Sequence, residues 1–153
     1  MHPTFNPLAH PLCLSVPRRL DAASGWNEHV PFALLLVELA RPRTLVELGT
    51  RTGVSYCAFC QAVEALKLPA SCYAVGEWPD AQHAELQTLR AHHDALYGGF
   101  SRLLVGVSGE AEQRFADGSV DLLHVSDPST SESLRLLFEK WLPKMSRSGL
   151  VLL

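Results

Sequence analysis

The chain is short of several things, and each shortage removes a class of function. Its longest uninterrupted apolar run, Phe32 to Val37, falls far below the roughly 20 residues that a membrane-crossing helix needs. No cationic segment followed by an apolar one opens the sequence, so no export signal is read and a cytoplasmic location with reduced thiols is expected. Lysine and arginine total 13 against 16 aspartate and glutamate, with no basic cluster, which argues against a nucleic-acid partner. The four cysteines (Cys13, Cys57, Cys60, Cys72) are too few for a secretory disulfide framework in 153 residues. There is no internal repeat. What is present is an ordinary globular balance, 47% apolar and 19% charged, in a length that suits one domain with a real core.

The first 23 residues carry Pro3, Pro7, Pro11 and Pro17 without periodicity and read as a Pro-rich arm (1–23) ahead of a folded domain (24–153). Val30 to Ala40 reads as a buried helix stopped before Pro42. Short apolar runs then alternate with helical patterns. Strands are expected at Thr44–Leu48, Cys72–Val75, Leu103–Val105 and Val120–Val125, and a fifth from Leu150 after a turn at Ser148-Gly149. Helices are expected at Ser55–Leu66, Asp80–Ala95 (with Leu86, Leu89 and Leu96 as its inner stripe), Glu110–Phe115 and Ser131–Leu142 (with Leu134, Leu137, Phe138 and Trp141 inward). This alternation means an α/β fold with a mostly parallel sheet and helices on both faces. The chain stops on an apolar strand, which suggests an excised piece or an edge covered by a second copy, so a homodimer is one expectation.

The chemistry concentrates in Thr44-Leu45-Val46-Glu47-Leu48-Gly49-Thr50-Arg51-Thr52-Gly53-Val54-Ser55. A strand, a glycine turn and a helix N-terminus together present backbone N–H groups to a ligand. A dinucleotide fingerprint needs Gly-x-Gly-x-x-Gly; here the spacing is Gly49-x-x-x-Gly53, and Glu47 places negative charge where a pyrophosphate would sit. That arrangement suits a cation.

Glu-x-Gly-x-x-x-Gly is similar to the first motif of class I S-adenosylmethionine-dependent methyltransferases. Further stretches resemble one subfamily: Ser55 to Val63, Cys72 to Val75 with Trp78 and His83, Gly99-Phe100-Ser101, Asp117 to His124, and Trp141 to Lys144. This is the bacterial methyltransferase-like domain found beside or fused to glycosyltransferases of surface-polysaccharide assembly. The resemblance implies a Rossmann-like, doubly wound sheet of order 3-2-1-4-5, lacking the last strands of the full fold. It implies S-adenosylmethionine as cofactor, held by Glu47, Gly49, Thr50, Arg51, Gly53, Ser55, Glu77, Trp78 and Ser108. It also implies methyl transfer to a sugar or glycan hydroxyl, with a glycosyltransferase domain or partner nearby.

Three departures qualify that expectation. The acid that holds the cofactor's ribose stands at Gly76, with Glu77 next to it, which either reaches into the role or is merely exposed. Where the family carries aspartate and, three residues on, histidine, this chain has Ser126 and Ser129. The remaining catalytic candidates are Ser126, Asp127 and His124, although a serine is a base near neutral pH only with a partner. The third departure is the missing last strands. A catalytically inactive relative, serving as a docking or dimerisation module, therefore stands beside the enzyme reading. Of the other motifs, Cys57-x-x-Cys60 reads as buried packing and no metal site is expected; His92-His93 reads as a solvated pair; Ser108 is alternatively an N-cap. Trp78 is either a wall of the cofactor site or a packing residue.

Overall fold

The computed structural model describes residues 6–79, 83–126 and 131–153. Helix α1 spans Val30–Ala40 and ends where Arg41 turns left-handed (φ 46°) ahead of Pro42. Strand β1 (Thr44–Leu48) leads through the glycine turn into α2 (Val54–Ala65), and β2 (Ser71–Gly76) is followed by α3 (His83–Leu96). Strand β3 (Ser101–Val105) precedes the short α4 (Ser108–Ala111), then come β4 (Val120–Val125), α5 (Ser131–Trp141) and β5 (Met145–Leu152). No helix among the described residues is long and apolar enough to cross a membrane.

The five strands are all parallel and lie in the order β3-β2-β1-β4-β5, the Rossmann-like order expected. Side chains alternate across the sheet, so each strand feeds two cores. Leu45, Cys72, Ala74 and Leu122 face the core built with α1, α2 and α3. Val46, Leu48, Val75, Leu123 and Val125 face the other, closed by Phe115 and Trp141. The central strand β1 is therefore buried on both sides, which its run of apolar residues required.

Three local expectations are corrected. Strand β5 begins at Met145 rather than Leu150: the chain pairs with Val120 as soon as it leaves the turn Leu142–Lys144, and the Ser148-Gly149 signal belongs to a bulge inside the strand. The inner stripe of α3 is Leu86, Leu89 and His93, continued just past the helix by Tyr97, all buried, while Leu96 is exposed. The spacing of three, four and four follows the helical period more closely than the leucines alone. His93 is thus a core residue, 2% exposed, with Nε2 2.8 Å from Ser101 Oγ and Nδ1 2.7 Å from Asp94. Tyr56 bonds the same Ser101 hydroxyl, so one buried serine ties α2, α3 and β3 together. On α5, Trp141 is buried and Leu134 and Phe138 half-buried; the side chain of Leu137 lies outside the described part.

The arm packs on the domain. Short turns at Pro7–Ala9 and Pro11–Leu14 seat Leu12 against the first core and bury Cys13. Gln61 on α2 accepts from Arg18 N–H and donates to the Val16 carbonyl, fixing the arm's far end.

The start of α2 makes a demand on one residue. Gly53 is left-handed (φ 78°), and a Cβ there would lie 2.3 Å from Leu89 Cδ1. Gly53→Ala should therefore lose about 1–3 kcal/mol of stability, while Gly99→Ala, with nothing within 4 Å, should be near neutral. Urea unfolding of the two variants checks the contrast.

Candidate functional site

The C-terminal ends of β1 and β4 are neighbours, and Glu47 and His124 stand in register across them. Both side chains point to the α1–α2 side of the sheet. A buried carboxyl is costly unless its oxygens are bonded, and here both are. His124 Nδ1 donates to Oε2 at 2.7 Å and Thr50 Oγ1 donates to Oε1 at 2.8 Å. Glu47 is 0% exposed and His124 1%. The His124 ring is further enclosed by Trp26 (centroids 4.6 Å apart) and Phe59 (5.4 Å), both edge-on. His124 is thus a satisfied core histidine at the sheet's edge, and Glu47 reaches a ligand only through Thr50.

The turn itself is held at almost every peptide. Gly49 and Thr50 both donate their N–H groups to the Val75 carbonyl. The Arg51 carbonyl accepts from Trp78 Nε1 at 3.1 Å, and the Thr52 carbonyl from Arg19 Nε at 2.7 Å. Gly53 then opens α2, which no side chain caps among the described residues. The first-turn N–H groups of α2 have no partner within the helix, and they face the edge where ligands sit in open α/β sheets. Ser55 in that turn is buried.

At the end of β2, Gly76 is buried, Glu77 is exposed and Trp78 is buried. The indole therefore packs back over the turn, and Glu77 points to solvent rather than inward. At the end of β4, half-buried Ser126 donates its N–H to the Leu48 carbonyl. Asp127 and Ser129 lie outside the described residues, as does the side chain of Ser108. The cap of α4 is Val107, so Ser108 opens that helix and does not cap it.

Two of the thiols, on α2, are held in the neutral form by burial. Burial pushes Cys57 up to about 12 and Cys60 well above the ordinary thiol range. Among the described residues, no three His, Cys, Asp or Glu side chains come together as metal ligands. Two contributors escaped sequence reasoning. Arg19 and Trp26 come from the segment before α1, and nothing local signals that Arg19 reaches the Thr52 carbonyl or that Trp26 covers His124.

Comparison with known proteins places this arrangement. A family model described as "Methyltransferase domain" matches residues 46–153. A protein of Sinorhizobium fredii, named only as uncharacterized protein y4gI, is 42% identical over 144 residues, covering 91% of this chain and 16% of that protein. Among solved structures, the SAH-bound methyltransferase PaMTH1 of Podospora anserina superposes with a TM-score of 0.66 at 16% identity, over 80% of this chain and 50% of the other. A methyltransferase from Geobacter sulfurreducens gives 0.63 at 15% identity, over 97% and 70%. These identities carry the fold alone. The chain spans about a sixth of the curated relative's length.

Removing the carboxyl should be expensive. Glu47→Ala strands the Thr50 hydroxyl and the His124 Nδ1–H in the core and should cost about 2–5 kcal/mol. Glu47→Gln keeps an acceptor and should cost clearly less; urea midpoints compare them. The raised Cys57 thiol predicts a second effect. Its folded value lies above the ordinary 9.0, so its contribution is complete below about 9 and is lost as pH rises towards about 12. Unfolding midpoints measured from pH 8 to 11 should fall less steeply in Cys57→Ala, and native Cys57 should resist alkylation at pH 8.

Proposed function

The chain belongs to the methyltransferase-domain family, and from that premise we propose that it moves the methyl group of S-adenosylmethionine to a hydroxyl oxygen of a sugar or glycan. The observation that carries the reading is the buried Glu47–Thr50 hydrogen bond, which sets the glycine turn beside an uncapped helix N-terminus. S-adenosylmethionine is the cofactor of this family, and the residues present fit its amino-acid end. Gly49, Thr50, Gly53 and Ser55 would hold that end at the turn, with the Glu47 carboxyl behind them. When bound, the cofactor supplies a methyl group activated on a sulfonium.

The chain's own contribution is placement. Holding an acceptor oxygen in line with the methyl carbon lowers the barrier by removing orientational freedom, and much of the rate can come from that. His124 is enclosed and paired with Glu47, so the acceptor's proton passes to solvent as the oxygen–methyl bond forms and the sulfur–methyl bond breaks. The glycan acceptor is supported by the sequence resemblance to domains that accompany glycosyltransferases. Occupying a sixth of a long relative is in keeping with a domain embedded in a larger polypeptide.

A second reading is favoured by two of these same observations, the enclosed His124 and the indole packed over Gly76. In it the domain is a non-catalytic relative that docks a glycosyltransferase or pairs with a second copy. Calorimetric titration with S-adenosylhomocysteine separates the two. Under the enzyme reading the native domain gives a saturable heat, weakened at least tenfold in Glu47→Ala relative to Glu47→Gln. No heat from the native domain at millimolar ligand removes that reading and leaves the docking one.

A further inference from the structure

In Rossmann-like sheets the residue at the C-terminal end of the second strand sits beside the first glycine turn, and an acid there takes the nucleoside's ribose hydroxyls. In this chain that strand ends at Gly76, which pairs with Val105 of β3. In this structure the position has no room for a side chain. A Cβ on residue 76 would lie 2.4 Å from the Thr50 carbonyl oxygen and 2.5 and 2.8 Å from Cη2 and Cζ2 of Trp78. The path that an acidic side chain would follow is occupied by the indole, and its first carbon would collide with the backbone of the turn. The indole is not loosely placed. It is 7% exposed, belongs to the first core, and donates Nε1–H to the Arg51 carbonyl at 3.1 Å.

We infer that Trp78 is the gate of the nucleoside half of this site: it fills the ribose position in the resting fold and sets how tightly the cofactor is held. The inference rests on the cofactor reading given above. A nucleoside seated on the turn needs the volume the ring now fills, so the indole must leave first. Leaving breaks its bond to Arg51 and exposes an apolar ring, and that cost is subtracted from the binding free energy. Glu77 offers no substitute grip in this state, since it faces solvent. The ribose position thus lacks its acid at Gly76 and is filled by the indole of Trp78.

The test is calorimetric titration of S-adenosylhomocysteine into the native domain, Trp78→Ala and Trp78→Phe, with far-ultraviolet circular dichroism confirming the fold of each. Trp78→Ala should bind at least tenfold more tightly than the native domain. Trp78→Phe, which lacks the N–H and the second ring but keeps an apolar filler, should fall between them. If Trp78→Ala loses its fold, Trp78→Phe decides alone by its gain. Equal or weaker binding in the folded variants overturns the gate while leaving the cofactor reading intact. No heat from any of the three overturns both.

Discussion

The hydrogen bond between His124 and Glu47 is the contact on which the ligand edge of this domain depends. It joins the ends of two adjacent parallel strands at the same register, where backbone pairing gives way to loops. A carboxyl at that depth is tolerable only with both oxygens bonded. Satisfying the second oxygen draws Thr50 inward and so determines the path of the glycine turn. Trp26 and Phe59 close the pair off from water, which strengthens it and removes His124 from any role at the surface. The acid that looked like a direct partner for a cationic ligand is a support beneath the turn.

The turn is also gripped from outside. Arg19 and Trp78 donate to consecutive carbonyls, those of Thr52 and Arg51, from opposite directions along the chain. Backbone carbonyls at a tight turn cannot be bonded within it, so side chains from elsewhere supply the donors. The consequence is that the Pro-rich arm supports the site: it is anchored on Gln61 and Glu64 of α2 and ends over the turn. The methyltransferase-domain frame is intact in the parallel sheet that carries this turn.

Much of this was legible in the residues. Val30–Ala40 and Val120–Val125 have the bounds that their residues imply, the helix because Pro42 follows it and the strand because an apolar residue stands at each of its ends. The central strand and its glycine turn were equally plain. Where the reading slipped, a local signal had a second use: Ser148-Gly149 serves a bulge as well as a turn, and His93 is polar in type but apolar in position. A buried histidine is recognisable only once Ser101 and Asp94 are seen to satisfy both its nitrogens.

By itself the sequence determined the alternation of elements, the parallel sheet and the place of the glycine turn. These follow from periodicity, proline and glycine, which act over a few residues. The tertiary structure alone decided that Glu47 is spent on His124 and Thr50, that Arg19 reaches the turn while Trp26 covers His124, and that the indole of Trp78 fills the space beside Gly76. Most of these contacts join residues that different strands and loops bring together. No local pattern encodes which partner a buried polar group will find; only the packed sheet does.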